Sequence, residues 1–365
     1  MANLNIPKHI QNLKTYKPGK AIDELIEEYD LTETAVLWNN ENNLGPSPRA
    51  LEAISQELKT SHLYPDPSAS KLRATIAAKE SIDPDQVVVG NGSEAILGNI
   101  FQGFFEAEDE LLTSEGTFVA VYIWAMSHNR NIRTIALKAD YSYDLDAIAN
   151  AISDKTKVIY IANPNNPTGT MITRSEFEAF MAKVPEHVLV VSDEAYYEYA
   201  IDLSSEFADT VRLPYPNLIT LRTFSKAFGI ASIRIGYAIG PLDIIETLAK
   251  VKMTFEPSNL AQAAGIGALS DDKYLEQTMA INRNGLKKFY GLFDDLGISY
   301  VKSFANFVMI DLANEERVQE LAEKLKREGV FVRPLKAFGL PHCLRVSVGL
   351  DQENELFLKA FRKCY

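Results

Sequence analysis

The chain has 365 residues, 46% hydrophobic and 24% charged, an ordinary balance for a globular protein of one large domain or two moderate ones. Its formal net charge of −12 argues against a nucleic-acid or anionic-membrane binder, because phosphates would be repelled. Two cysteines, Cys343 and Cys364, make neither a disulfide framework nor a metal motif; Met1-Ala2-Asn3-Leu4-Asn5 lacks the features of a signal peptide, and no apolar run approaches a membrane span, so a cytoplasmic protein is expected.

The turn-rich arm Tyr16-Lys17-Pro18-Gly19-Lys20 leads into a short amphipathic helix over Ala21 to Tyr29, with Ile22, Leu25 and Ile26 on one face. The run Trp38-Asn39-Asn40-Glu41-Asn42-Asn43-Leu44-Gly45-Pro46 carries too much amide chemistry for a core element. It is a loop, either lining a site or linking two domains. Helices follow from Pro48 to Leu58 and from Leu72 to Lys79, separated by His62-Leu63-Tyr64-Pro65-Asp66-Pro67.

From Gln86 to Ile239, β-rich runs alternate with helical stretches. The runs are Val87 to Val89, Glu110 to Leu112, Ile132 to Ile135, Val158 to Ile161, Val188 to Val191, Leu218 to Leu221 and Ile235 to Ile239. Such alternation predicts an α/β domain with a seven-stranded, mostly parallel sheet, in which ligands sit beyond the carboxyl ends of the strands.

Each motif of chemical interest does follow a strand. Gly90-Asn91-Gly92-Ser93-Glu94 reads as a tight turn opening a helix, whose free N–H groups suit a phosphate; a plain βα turn explains the glycines equally well. Asn163-Pro164-Asn165-Asn166-Pro167-Thr168-Gly169 fixes a rigid turn that can present an asparagine. Asp193-Glu194-Ala195-Tyr196 delivers a buried carboxylate that needs a partner, a pyridinium nitrogen or else a salt bridge or helix cap. Then comes Thr223-Phe224-Ser225-Lys226-Ala227-Phe228-Gly229, with Arg234 beyond it. A lysine walled by Phe224 and Phe228 is partly desolvated, so its neutral amine can attack a carbonyl to form a Schiff base. Ser225 and Arg234 add a hydroxyl and a guanidinium fork suited to phosphate. A Schiff-base lysine beside a phosphate clamp points to pyridoxal phosphate.

After Ile239 the sequence predicts helices Leu242 to Val251, Ala261 to Leu269 and Lys273 to Leu296. A separate α+β unit follows, with runs at Phe307 to Ile310, Val330 to Pro334 and Leu344 to Gly349. The expected division is an arm over 1–40, a large domain over 41–255 and a small domain over 256–365.

The ordered set of Asn166, Asp193, Tyr196, Ser225, Lys226, Arg234 and Arg345 resembles the class I/II pyridoxal-phosphate-dependent aminotransferases of fold type I. Within them it is most similar to the histidinol-phosphate aminotransferase subfamily. The likeness also includes Tyr16-Lys17-Pro18-Gly19, Tyr64-Pro65-Asp66 and Leu344-Arg345-Val346-Ser347-Val348-Gly349, and so runs over nearly the whole chain.

The resemblance implies that Lys226 holds the cofactor and shuttles the proton, that Asp193 pairs with the ring nitrogen, and that Asn166 and Tyr196 hold its phenolic oxygen. It implies phosphate contacts from Ser93, Ser225 and Arg234 with the amides near Gly92, places Glu94 among the cofactor-binding residues, and implies stacking by Phe118. Tyr64 would reach the phosphate of a partner subunit in a homodimer with shared active sites. Arg345 would take the substrate carboxylate, with Tyr16, Asn42, Arg333 and Glu256 around the substrate.

The chain departs from the subfamily pattern at Trp38, Asn43, Val121 with Tyr122, and Thr254-Phe255-Glu256-Pro257, all near the substrate side. Glu256 is expected to face the substrate or to pair with Arg333. The alternatives left open are an aminotransferase for aromatic or other amino acids and a decarboxylase similar to threonine-phosphate decarboxylases. A ligand-sensing domain of a transcription regulator is disfavoured by the short, non-basic arm.

Overall fold

The computed structural model describes residues 5–15 and 20–365. Its centre is a sheet of seven strands: β1 (Val87–Gly90), β2 (Glu110–Ser114), β3 (Asn131–Ile135), β4 (Thr156–Ala162), β5 (Leu189–Asp193), β6 (Leu218–Thr223) and β7 (Gly236–Ile239). They lie in the order β1-β7-β6-β5-β4-β2-β3, and only β7 runs antiparallel to its neighbours. All seven are the runs expected from sequence. The central strands are buried on both faces, which is why they read as continuous apolar runs rather than alternating ones.

Helices cover both faces. Ile96, Leu97, Ile100 and Phe101 of helix Ser93–Phe104 pack with Leu248 of helix Leu242–Val251 against Val88, Ile219 and Ala238. On the other side, Phe177 and Phe180 meet Ile159 and Val190, while Leu72 and Ile76 meet Val87 and Val89.

The second sheet holds β8 (Ser299–Val301), β9 (Phe307–Asp311), β10 (Arg333–Pro334) and β11 (Cys343–Ser347) in the antiparallel order β10-β11-β9-β8. The run Val330 to Pro334, read as one strand, divides. Val330–Phe331 pairs with Ala35–Val36, whereas Arg333–Pro334 joins the second sheet.

The two hydrophobic cores change over inside the 25-residue helix Asp272–Leu296, later than the boundary at 256 expected from sequence. Helix Asn259–Leu269 belongs to the first core, where Ala261, Ala264 and Ala268 lie among Val87, Phe224 and Tyr237. Leu286, Phe289 and Phe293 of the long helix belong to the second, with Ala35 and Leu37 of the arm. No helix among the described residues is long and apolar enough to cross a membrane.

Candidate active site

A cavity of about 190 Å³ opens at the carboxyl edge of the large sheet. It brings together Gly92, Ser93, Glu94, Phe118, Asn166, Asp193, Tyr196, Ser225, Lys226 and Arg234, most of them from a turn that leaves a strand or the helix start beyond it, with Asp193 at the end of β5 and Arg234 just before β7.

One end suits an anion. Helix Ser93–Phe104 starts at Gly92, whose side supplies no cap, so the N–H groups of the first turn remain available. Gly92 has φ +81°, and a Cβ there would stand 2.7 Å from Nη2 of Arg234. A Cβ on Gly236, the first residue of β7, would meet the backbone N of Ser93 at 2.3 Å, so both glycines are required for this close packing. Arg234 itself lies in the left-handed region (φ 56°, ψ 66°), a strained position for a non-glycine residue that turns its guanidinium back over the turn. Its Nη1 donates to the Ala231 carbonyl at 3.0 Å and reaches the Ser225 hydroxyl at 3.5 Å.

The middle holds the amine. Lys226 is half-buried, with Nζ donating to the Asn39 carbonyl at 3.0 Å. Burial brings its pKa down from 10.5 to about 8, and the Arg345 guanidinium adds to the effect. At neutral pH a useful fraction is therefore the nucleophilic free amine.

Asp193 ends β5 at the floor. Its Oδ2 accepts from the Tyr160 hydroxyl at 2.7 Å and its Oδ1 from the Ala195 amide at 3.2 Å. Burial pushes its pKa up to about 6, against those two donations, and among the described residues it has no ion-pair partner. The adjacent Glu194 does have one. Arg222, 1% exposed, donates to Glu194 at 2.8 Å, to Asp209 at 2.7 Å and to Glu80 at 2.9 Å, and its guanidinium lies 3.3 Å from the centre of the Tyr197 ring. This closed network holds the turn after β5.

The Asn-Pro turn after β4 assigns its three amides differently. Asn163 is paired with the backbone of Ile172, and Asn165 with Gly116, Thr117, Tyr143 and Thr168. Only Asn166 is left for the cavity. Its Oδ1 accepts from Arg345, and its Nδ2 has no protein acceptor among the described residues. Tyr196 accepts from Asn40 Nδ2 at 2.8 Å, which leaves its own O–H proton free to donate.

Arg345, on β11, lies beside the cavity and is buried. Its Nη2 donates to the Trp38 carbonyl at 2.7 Å, and its Nε has no partner. Burial brings its pKa down to about 10, assisted by Arg333, its cross-strand neighbour in register.

Three expected positions lie elsewhere. Asn42 donates to the Ala227 carbonyl and to the hydroxyls of Tyr274 and Thr278 and does not line the cavity. Glu256 is buried and accepts from Asn91 Nδ2 at 2.7 Å; it neither pairs with Arg333 nor faces the cavity of its own subunit. Tyr64 is 80% exposed and stacks on Phe255 at 4.5 Å, outside the cavity of this chain. Tyr16 falls outside the described residues.

The other departures face inward or toward structure. Trp38 packs on Phe331, Asn43 donates to Glu353, and Tyr122 donates to the Ser114 carbonyl. Sequence reasoning passed over Tyr160, Asn40 and Arg222. The one available signal was polarity inside apolar runs: a tyrosine in β4 and an arginine in β6 each need a buried partner.

The fold and the cavity define the class. The family model described as aminotransferase class I and II matches residues 33–361, and the chain belongs to this family. Among individual proteins, it is 41% identical over 358 residues to the histidinol-phosphate aminotransferase of Anaeromyxobacter sp., covering 97% of each chain. It is 40% identical over 358 residues to that of Brevibacillus brevis, covering 98% of this chain and 97% of the relative. Histidinol-phosphate aminotransferase from Sinorhizobium meliloti, solved in complex with pyridoxal-5'-phosphate, superposes with a TM-score of 0.89 at 28% identity, covering 100% of this chain and 98% of that one. The aspartate aminotransferase of Thermus thermophilus, solved with maleate, shares the fold at a TM-score of 0.84 and 23% identity, over 99% of this chain and 100% of that one.

Proposed function

We propose that this chain is a pyridoxal-phosphate-dependent aminotransferase that exchanges an amino group between histidinol phosphate and a 2-oxo acid. One observation carries the reading. One cavity places a lowered-pKa lysine, a buried carboxylate with no ion-pair partner among the described residues, and an uncapped helix start with an arginine around one small volume.

These donors fit pyridoxal phosphate group by group. Ser93, Ser225, Arg234 and the amides of helix Ser93–Phe104 would hold the phosphate. Asp193 would meet the ring nitrogen, Asn166 and Tyr196 the phenolic oxygen, Phe118 the ring face, and Lys226 the aldehyde. When bound, the cofactor supplies an aldehyde that captures the amine and a ring that takes up electrons from the substrate Cα. The protein orients and moves protons. Lys226 Nζ would accept the proton from Cα and return it, Asp193 would hold its negative charge toward the ring nitrogen, and the hydroxyl of Tyr196 would donate a hydrogen bond.

Histidinol phosphate and a 2-oxo acid have an anionic group in common. Arg345 and Arg333, side by side on β11 and β10, offer the charge for either, a phosphate in one half of the exchange and a carboxylate in the other. We place the enzyme in the cytoplasm as a homodimer with shared active sites. Support for the dimer comes from the apolar Leu63, Tyr64, Met253 and Phe255, which remain exposed among the described residues even where Tyr64 stacks on Phe255.

Two experiments test the reading. Borohydride reduction of the loaded enzyme and peptide mapping should place the label on Lys226; a label on another lysine refutes the assignment. Mixing the loaded enzyme with histidinol phosphate should convert the cofactor absorbance to that of the amine form faster than any aromatic amino acid does. The reverse ranking would favour an aromatic substrate.

A further inference from the structure

Tyr160 is wholly buried in the middle of β4, and its phenol crosses to the adjacent strand β5. The strands run parallel, with Ala162 opposite Asp193 and Tyr160 opposite Val191. A tyrosine side chain spans the remaining offset and delivers its O–H to Asp193 Oδ2 at 2.7 Å. Among the described residues it is the only side chain that donates to Asp193; the other donor is the Ala195 amide, on Oδ1. Tyr160 also borders the cavity. Burial and the charge on Asp193 hold the phenol well above its ordinary pKa, so it remains a donor at every working pH.

We propose that Tyr160 is a positioning residue for the reaction: it keeps Asp193 charged and aimed so that the proton between carboxylate and cofactor ring stays on the ring. This rests on the cofactor reading above. The physical reason is competition for one proton. A carboxylate in a dry site is driven to protonate, and if it takes the ring's proton the ring stops drawing electrons. A phenol that donates to the carboxylate stabilises its charged form only, and so shifts the shared proton toward the ring nitrogen. The hydrogen bond also fixes the carboxylate's rotation, leaving Oδ1, which takes only the longer 3.2 Å contact from the Ala195 amide, as the oxygen to turn to the cofactor.

The test compares two ligands of the apo-protein: pyridoxal phosphate and its 1-deaza analogue, in which carbon replaces the ring nitrogen. The wild type should prefer pyridoxal phosphate. In Tyr160→Phe that preference should fall by about tenfold to a hundredfold, the range for a hydrogen bond to a charged group, while affinity for the deaza analogue stays within about threefold. In an Asp193→Asn background the same substitution should leave the preference unchanged, because the carboxylate it acts through is gone.

Equal loss of both affinities in Tyr160→Phe, or an undiminished preference, overturns the proposal, as does the same loss in the Asp193→Asn background. Failure of the wild type to bind pyridoxal phosphate would instead bring down the cofactor reading beneath it. Wild-type protein grown on 3-fluorotyrosine needs no truncation. Its more acidic phenol should raise the preference, since no other tyrosine among the described residues donates to Asp193. An unchanged preference in that protein also overturns the proposal.

Discussion

The two halves of the cleft are built differently. On the cofactor side, Asn166, Asp193, Ser225 and Lys226 stand on turns after neighbouring parallel strands of one sheet, with Arg234 just before β7. The ladder spacing of roughly 4.8 Å between strands sets their separations, and each turn is pinned by its own hydrogen bonds. On the substrate side, Arg345 and Arg333 come from a second sheet, the Trp38 carbonyl from the arm, and Asn42 and Glu256 are turned to other partners. The first half is set by one hydrogen-bonded ladder, the second by the meeting of layers distant in sequence. Substrate choice can therefore drift while the cofactor site stays fixed.

The largest expected effect strikes the rigid half. Lys226→Ala should slow the half-reaction by a factor on the order of 10⁵ to 10⁶, as loss of a group that acts at every step does; stopped-flow absorbance measures it, and a loss under about a hundredfold would refute the role. In the wild type, capture of pyridoxal phosphate by the apo-protein should quicken by about tenfold per pH unit as pH rises toward 8 and then level off, because only the neutral amine attacks and its pKa is near 8. A rate that is flat from pH 6 to 8 contradicts the lowered pKa.

Next comes Asp193→Asn, which keeps the shape but removes the charge that would face the ring nitrogen. About a thousandfold loss of turnover is expected, matching several kcal/mol of electrostatic stabilisation. Near-normal turnover would show that the buried carboxylate serves structure alone.

Crossing to the substrate half, Arg345→Gln should lower kcat/KM for histidinol phosphate by roughly a hundredfold, or about 2.7 kcal/mol, through loss of a charge-assisted contact. Cofactor affinity should barely change. A fall in cofactor affinity of similar size would erase the division drawn between the halves.

The smallest effect belongs to Glu256→Gln. The amide oxygen can still accept from Asn91, so turnover with histidinol phosphate should change by less than about threefold. A tenfold gain would mean that the carboxylate repels the substrate phosphate after all, and that the expectation from sequence had the right partner.

The same contrast explains what could be read in advance. The central strands of the large sheet were legible because burial on both faces leaves an apolar run, such as Val158 to Ile161, whereas the half-exposed edge strand Asn131–Ile135 showed only as a short β-rich run. Glu256 was misplaced because a loop carries no periodicity from which direction can be inferred. Ala35–Val36 was missed because two residues carry no pattern; their strand exists only through the pairing with Val330–Phe331. Helix Asn259–Leu269 was given to the wrong core for a related reason. It is mostly Ala and Gly, with no clear apolar stripe, and a Cβ on Gly267 would stand 2.5 Å from the Arg49 carbonyl. Its placement is decided by how closely helix Pro48–Glu57 approaches.

Arg222 bears on how the protein lives between cofactor molecules. Its three carboxylate partners are all protein groups, so the turn that carries Asp193 is clamped without help from any ligand. That turn should therefore hold its shape when the cleft is empty, which lowers the ordering cost of refilling it. Chains made while the vitamin is scarce would then persist as a folded reserve, ready to be charged when supply returns. Near-ultraviolet circular dichroism of the emptied protein should show its aromatic side chains as firmly packed as in the loaded one.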